Sequence, residues 1–314
     1  MKAVLKSVSR SFYLTIRFLP RPLREPVSLA YLLARATDTV ADTATIPVAS
    51  RLTALRTLAR VIAGELDFNA VEEPLRDFAA QQRDPPERTL IQNLRGCLEW
   101  LTRLAPTDRA EIREVLQTIV KGQALDLERF GDPAAVVSLR SAAELDEYTY
   151  LVAGCVGDFW TKLGFRRLPP FANRSPGEMS ELGISYGKGL QLINILRDRP
   201  ADLANGRDYL PADELATTSV TKVFHHWLDR AEEKIGAGID YSSSLTNWRV
   251  RFATALPALI GARTIALLRV AGSEASKVKV PRNEVRRILV GELKASASPP
   301  RLLALFQRLL APPR

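Results

Sequence analysis

Two pairs of carboxylates with the same four-residue spacing occur in the sequence, each within an apolar segment. Asp38 and Asp42 lie in "SLAYLLARATDTVADT", and Asp198 and Asp202 follow "GLQLINIL". Residues i and i+4 of an α-helix share one face and lie about 6 Å apart along the axis. Like charges at that spacing repel each other. Each pair therefore calls for a compensating cation, either a metal ion or a basic partner.

The chemistry of the side chains favours a hard metal ion at these pairs. Asn194 adds an amide oxygen one turn before Asp198 on the same helix face. Oxygen ligands without a nearby histidine favour Mg²⁺ over zinc, and the two histidines, His225 and His226, are distant from both motifs in the sequence. Acidic faces from distant segments can meet inside a helical bundle, where facing helices commonly hold metal ions.

Arginines accompany both pairs, namely Arg35, Arg197 and Arg207. Guanidinium groups bind phosphate oxygens bidentately, so a metal ion and arginines could together stabilise a departing diphosphate. Departure of diphosphate from carbon would leave a carbocation. The alternative is that these arginines only form ion pairs with neighbouring acids, because a single pair of acids on a solvated helix face is common.

Helical periodicity runs through the whole chain and strand-like alternation is nearly absent. This pattern predicts one all-α domain covering residues 1–314. Pro200 either bends the helix that carries the second pair, which would aim Asp202, or ends that helix. The predicted helices cover 27–43, 48–66, 87–104, 107–129, 142–164, 176–204, 219–238, 248–271, 282–294 and 299–311.

Composition indicates a soluble, cytoplasmic protein with a sizeable core. The hydrophobic fraction of 46% is ordinary for a globular protein. Cys97 and Cys155 lie in apolar surroundings without CxxC spacing, which predicts buried free thiols. The N-terminus lacks the features of a signal peptide, and no charge-free apolar run approaches the 18 residues of a membrane span.

The net charge of +9 raises the question of nucleic-acid binding. The basic residues are scattered through amphipathic segments, and no zinc-finger, RRM or helix-turn-helix signature accompanies them. Anionic small molecules or anionic lipids are therefore favoured as partners over nucleic acid. The segment "PRLLALFQRLLAPPR" at the C-terminus has a basic amphipathic pattern. It could lie on an anionic membrane surface, but a final packing helix is the simpler interpretation.

Four segments in order resemble the squalene/phytoene synthase family of head-to-head prenyl synthases. They are "VSRSFYL" (8–14), "YLLARATDTVADT" (31–43), "DEYTYLVAGCVG" (146–157) and "LQLINILRDRPADLANGRDYLP" (190–211). The resemblance implies an all-α isoprenoid-synthase bundle around a central apolar cavity. It also implies that the acidic pairs are catalytic and that Mg²⁺ bridges them to the diphosphates of two prenyl donors, with Asp38, Asp42, Asn194, Asp198 and Asp202 as ligands.

The resemblance assigns further residues to the substrates. Tyr148 matches the central tyrosine of the family, placed near the developing cation as a base or as a stabilising ring. Gly157 lies one turn after Gly154, either for close helix packing or to leave a floor for a prenyl chain. Phe12 and Val152 could line the same apolar tunnel. The residues implied to lie at the diphosphates are Arg35, Arg197, Arg207, Ser9, Ser11, Tyr31 and Gln191.

The activity implied by the resemblance is Mg²⁺-dependent condensation of two farnesyl diphosphates through a cyclopropylcarbinyl diphosphate. Reduction by NADPH would then give squalene. The alternatives are a phytoene or dehydrosqualene synthase, which ends by losing a proton, and an inactive homologue acting as an assembly partner in isoprenoid metabolism. The first motif ends in Thr43, where many squalene synthases continue with another acid. Fewer acids could weaken metal binding or shift the product.

Overall fold

The chain forms two compact units, unit 1 (Met1–Gly131) and unit 2 (Asp132–Arg314). The computed structural model describes residues 2–9, 12–131, 136–275 and 278–312, with the backbone alone at Lys2, Phe12 and Leu14. It is 81% helical, which confirms the all-α class. The prediction of a single domain over residues 1–314 stays a prediction.

Unit 1 is built around the long helix that carries the first acidic pair. That helix, α3, packs against α4, α6, α7 and α8 and buries an apolar stripe that includes Leu29, Leu33 and Val40. The helices of unit 1 are α1 (Lys2–Ser9), α2 (Phe12–Phe18), α3 (Arg21–Asp42), α4 (Val48–Ala63), α5 (Asn69–Gln81), α6 (Pro85–Gln92), α7 (Leu94–Arg103) and α8 (Pro106–Phe130).

Unit 2 is built around a second long helix, α11, which packs against α10, α13 and α14. A capping box closes its N-terminus: the side chain of Ser175 accepts a hydrogen bond from the backbone N–H of Glu178, and the side chain of Glu178 accepts one from the backbone N–H of Ser175. The helices of unit 2 are α9 (Ala142–Thr149), α10 (Cys155–Arg167), α11 (Pro176–Ala204), α12 (Ala212–Thr217), α13 (Val220–Ser244), α14 (Trp248–Ala271), α15 (Arg282–Ala295) and α16 (Pro299–Leu310).

Three features of unit 2 differ from the sequence-based prediction. The predicted helix 142–164 is interrupted by a π-helical turn at Tyr150–Gly154, where one additional residue fits into the hydrogen-bond ladder. The strands β1 (Val137–Leu139) and β2 (Arg207–Pro211) pair in parallel. Such short strands leave no alternating pattern in the sequence. Helix α12 was not predicted, and it is only six residues long.

Unit 1 differs from the prediction in its helix ends. Helix α3 begins at Arg21 rather than at residue 27, because Pro22 lies in the first turn, where a missing N–H costs nothing. The predicted helix 87–104 is divided into α6 and α7 at Asn93. Helices α1, α2 and α5 were not predicted.

Helix α11 runs unbroken through Pro200 as far as Ala204. Asp198 and Asp202 therefore stand at positions i and i+4 of one continuous helix, as the spacing predicts. Cys97 and Cys155 are buried free thiols, which confirms that prediction as well. Burial raises the pKa of each thiol to about 12, so both are protonated and unreactive at neutral pH.

Helix α14 has the length and apolar character of a membrane span, with a mean hydropathy of 1.4 in its most apolar window. Of that window, 67% is buried inside the protein, as in the core helix of a globular unit. Helix α16 buries Leu302, Leu305 and Phe306 and packs against α13, α14 and α15. This packing agrees with the simpler interpretation of the C-terminal segment, and membrane contact stays a prediction.

Candidate functional site

The first acidic pair lies at the C-terminal end of α3. Asp38 is half-buried and Asp42, the last residue of the helix, is exposed. The opposite face of the same turns is fully buried through Ala36 and Val40. Burial of that face fixes the rotation of α3, and with it the direction in which both carboxylates point.

The guanidinium of Arg35 lies between two carboxylates of different helices. Its Nη1 donates to Asp38 Oδ2 at 2.7 Å, and its Nη2 donates to Glu87 Oε1 of α6. The other oxygen of Glu87 lies 3.4 Å from Thr39 Oγ1, which donates its proton to Arg35 O at 2.9 Å. Glu87 was not singled out from the sequence, because its partners lie about 50 residues earlier in the chain.

The carboxyl group of Asp38 has a pKa raised to about 7. Burial is the main cause, followed by repulsion from the Asp42 carboxylate, while Arg35 acts in the opposite direction. The two acids of this motif thus disfavour each other's charge, and Arg35 compensates only part of that effect. A divalent cation would supply the missing positive charge.

The other predicted residues of unit 1 lie on or before α3. Tyr31 stands one turn before Arg35 and donates its hydroxyl to Val8 O of α1 at 3.3 Å. Ser9, the last residue of α1, is buried and donates to Leu5 O. Phe12 begins α2, but its side chain lies outside the described part of the structure, as does the whole of Ser11.

The second acidic pair lies near the C-terminal end of α11. Arg197 donates to both oxygens of Asp198, with a distance of 2.8 Å from Nε to Oδ1. The side chain of Asp198 is half exposed, and Asn194 is exposed one turn earlier. The Asn194 amide donates to Gln191 Oε1 at 3.5 Å. The structure therefore places Gln191, Asn194 and Asp198 along one face of α11.

A buried ion pair holds the strand that follows α11 against the helix. Arg199 donates to both oxygens of Asp208, at 3.1 and 2.7 Å, and both side chains are less than 10% exposed. Asp208 lies on β2 next to Arg207, the predicted diphosphate ligand. This pair was not predicted from the sequence. The signal was the acid that follows Arg207, but its buried partner could not be recognised from spacing alone.

Tyr148 lies near the end of α9 and is half-buried. Its ring stacks on that of Tyr209 of β2, with the ring centroids 5.1 Å apart and the planes 25° from parallel. Tyr209 is itself buried, so the stack limits the rotamers open to Tyr148. The strand fixed by Arg199 and Asp208 thus carries the ring on which Tyr148 rests.

Gly157 lies at a close approach between α10 and α11. A Cβ atom at this position would lie 1.9 Å from the carbonyl oxygen of Gly183, so only glycine permits the approach. Close packing is therefore a sufficient reason for Gly157. Contact between a substrate and Gly157 stays a prediction, as it does for Val152 of the π-helical turn, which is half-buried.

Within each unit, the structure brings the predicted residues together on one helix and its neighbours. No three acidic, histidine or cysteine side chains among the described residues are close enough to form a metal site by themselves. Each motif instead offers a pair of carboxylates. Mg²⁺ fits such a donor set, because it usually takes one or two protein carboxylates, keeps bound water and shares phosphate oxygens of a substrate.

Comparison with solved structures places the architecture among known folds. A structure named as TcSQS in complex with the ligand E5700 superposes with a TM-score of 0.74 over 98% of this chain and 88% of that one, at 22% identity. The protein has the all-α fold of the isoprenoid synthases.

Residues 5–284 match the sequence profile of squalene/phytoene synthases. The chain belongs to the squalene/phytoene synthase family.

Two curated relatives show the range of named products. Squalene synthase of Saccharomyces cerevisiae is 30% identical over 67% of this chain and 44% of that protein. The bifunctional lycopene cyclase/phytoene synthase of Phaeosphaeria nodorum is 28% identical over 69% of this chain and 34% of that protein. The aligned part thus spans less than half of either relative, and both squalene and phytoene synthases are among the similar proteins.

Proposed function

We propose that the protein is a Mg²⁺-dependent prenyltransferase that joins two farnesyl diphosphates head to head and, with NADPH, gives squalene. One observation carries the proposal. In a chain of this family, each of two acidic helix faces holds an arginine in direct contact with its first aspartate, Arg35 with Asp38 and Arg197 with Asp198.

The acidic faces and their arginines would act on the leaving groups. In the proposal, Asp38 and Asp42 of α3 and Asn194, Asp198 and Asp202 of α11 hold Mg²⁺ at the diphosphates. Bound Mg²⁺ supplies positive charge against the departing diphosphate. The guanidinium groups of Arg35, Arg197 and Arg207 donate hydrogen bonds to diphosphate oxygens, which stabilises the charge that builds up as the carbon–oxygen bond breaks.

The proposed reaction has two stages. One donor loses diphosphate, its allylic cation is captured by the C2–C3 double bond of the other donor, and loss of a proton closes the cyclopropane ring. The resulting cyclopropylcarbinyl diphosphate loses the second diphosphate and rearranges, and NADPH, when bound, would supply the hydride that gives squalene. Tyr148, held by its stack on Tyr209, would face these cations with its ring or its oxygen.

The family membership and the phytoene synthase relative support a second product class. A phytoene or dehydrosqualene synthase would use the same acidic faces and end by losing a proton instead of accepting hydride. The first motif carries Thr43 at its end, so its acid content does not separate these products. The effect of NADPH on the product distinguishes the two classes.

Product analysis tests the proposal. The purified protein is incubated with Mg²⁺ and either farnesyl or geranylgeranyl diphosphate, with and without NADPH, and the hydrocarbons are identified by mass spectrometry. We expect squalene from farnesyl diphosphate only when NADPH is present. Asp38→Ala and Asp198→Ala should each lower turnover by a factor on the order of 10³ with an unchanged circular dichroism spectrum. Absence of any prenyl diphosphate consumption would contradict the proposal.

A further inference from the structure

Arg35 is the point at which the first acidic motif is joined to a second helix. Its guanidinium reaches Asp38 on its own helix and Glu87 on α6, 52 residues later in the chain. Its third nitrogen, Nε, is buried and has no hydrogen-bond partner among the residues that the structure describes. The orientation of the guanidinium is therefore set by two carboxylates, one of which belongs to the proposed metal site.

Glu87 is itself held by two hydrogen bonds. Its backbone N–H donates to the side chain of Asp84, the N-cap of α6, at 3.3 Å. One carboxylate oxygen accepts from Arg35 Nη2, and the other lies 3.4 Å from the buried hydroxyl of Thr39, whose single proton has a nearer acceptor in Arg35 O at 2.9 Å. The side chain of Glu87 is 16% exposed, whereas those of Arg35 and Asp38 are more than one-third exposed. Glu87 is thus the less accessible of the two carboxylates that hold Arg35.

Asp38 and Glu87 differ in their roles under the proposed function, because only Asp38 is a proposed metal ligand. Asp38 would turn its oxygens towards a cation, which weakens its attraction for Arg35 Nη1. Glu87 faces Arg35 and Thr39 instead and has no such competing role. The Nη2 end of the guanidinium would stay fixed on Glu87, while the Nη1 end would become available to a diphosphate oxygen.

We propose that Glu87 is the positioning residue of the first motif, which holds Arg35 in the orientation needed to bind diphosphate. This inference rests on the proposed function. It assigns to a residue outside the four family-like segments the task of limiting the rotamers of Arg35. A guanidinium fixed at one end loses less conformational freedom when it binds an anion than a free side chain does.

Binding of inorganic pyrophosphate in the presence of Mg²⁺ tests this inference without any turnover. Isothermal titration calorimetry compares the wild type with Glu87→Gln, which keeps the shape and removes the charge. We expect Glu87→Gln to weaken pyrophosphate binding by about tenfold, the loss for one charge-assisted hydrogen bond. The matched control is Glu128→Gln, which breaks an exposed ion pair with Arg56 in the same unit and should leave the affinity unchanged.

A double-mutant cycle separates positioning from a general structural role. If Glu87 acts through Arg35, Glu87→Gln should add nothing to the loss caused by Arg35→Ala. In the enzyme assay, Glu87→Gln should raise KM for prenyl diphosphate more than it lowers kcat. Additive losses in the cycle, or wild-type pyrophosphate affinity in Glu87→Gln, would overturn the inference while the proposed function stands. A wild type that neither binds pyrophosphate nor consumes prenyl diphosphate would overturn both.

Discussion

The two acidic motifs share their spacing but differ in how the fold holds their arginines. In the first motif, Arg35 itself makes the tertiary contact, because it links α3 to Glu87 of α6. In the second motif, Arg197 pairs with the adjacent Asp198 of the same helix. The tertiary contact there is made by a different arginine, Arg199, which binds Asp208 on β2.

In the first motif one arginine serves both binding and the tertiary contact, whereas the second motif divides these two roles between two arginines. Arg197 and Asp198 are both more than one-third exposed, and an ion pair of that kind contributes little to stability. Arg197 can therefore exchange its partner at low cost. Arg199 and Asp208 are buried, and their pairing fixes the strand that carries Arg207 and Tyr209. In the second motif, binding and folding thus depend on different side chains.

The largest effect should follow from removing the buried arginine of the second motif. Arg199→Ala leaves the Asp208 carboxylate buried without its cation, and we expect a loss of about 3–5 kcal/mol in the free energy of unfolding. Arg197→Ala, two residues earlier and exposed, should cost less than about 1 kcal/mol. Urea denaturation followed by circular dichroism measures both values. Equal losses in the two variants would remove the distinction between the two arginines.

Asp208 has a buried arginine as its partner, whereas Glu292 is a buried acid with no ion-pair partner among the described residues. Glu292 of α15 is fully buried, and within the described part of the chain neither of its carboxylate oxygens has a hydrogen-bond partner. Burial raises the pKa of Glu292 to about 9. The neighbouring Tyr186 has its pKa raised in turn, mainly by burial and partly by Glu292.

The sign of the pH effect follows from these groups. The folded protein keeps the Glu292 proton and the unfolded chain releases it above a pKa of about 4.3, so this residue lowers stability as the pH rises towards 9. Glu292→Gln removes that dependence. The free energy of unfolding of Glu292→Gln should exceed that of the wild type by an amount that increases with pH. We expect this difference to be larger at pH 7.5 than at pH 5.5 by up to about 3 kcal/mol. The exposed Glu181→Gln is the control, and a gain that is independent of pH would contradict the prediction.

The smallest effect concerns the ring that β2 places under Tyr148. Tyr209→Leu keeps an apolar side chain on the strand but removes the stacked ring, which is worth about 0.5–1.5 kcal/mol. We expect kcat to fall by roughly fivefold while KM for prenyl diphosphate stays within twofold, because the diphosphate contacts are untouched. The substitution Tyr13→Leu on α2 of unit 1 is the comparison. An unchanged kcat would show that the Tyr148 ring needs no support from β2.

The parts of the molecule that follow a local rule could be predicted from the sequence. The start of α11 at residue 176 agrees with its capping box, and the shared face of Asp198 and Asp202 follows from helical spacing. The buried state of both cysteines follows from their apolar neighbours. In these cases the physical cause lies within a few residues of the feature.

The missed parts depend on contacts between segments that are distant along the chain or on very short elements. Nothing near Glu87 in "RDPPERT" indicates that its carboxylate meets Arg35. The pair of Arg199 and Asp208 requires β2 to fold back on α11, and three to five residues of strand give no periodic signal. The pairs that Glu87 and Asp208 form were therefore beyond the reach of spacing arguments, whereas Arg35 with Asp38 and Arg197 with Asp198 are the local ion pairs that spacing offered as the alternative.

The π-helical turn at Tyr150–Gly154 determines more than a local bend. In an unbroken α-helix, Tyr148 and Gly157 would be nine residues apart and would point in opposite directions. The wider turn absorbs about one residue, which brings the two positions to within roughly a quarter turn of each other around the helix axis. The number of residues between them thus sets their angular phase, so an insertion or deletion in this stretch would reorient one against the other even if every side chain were kept.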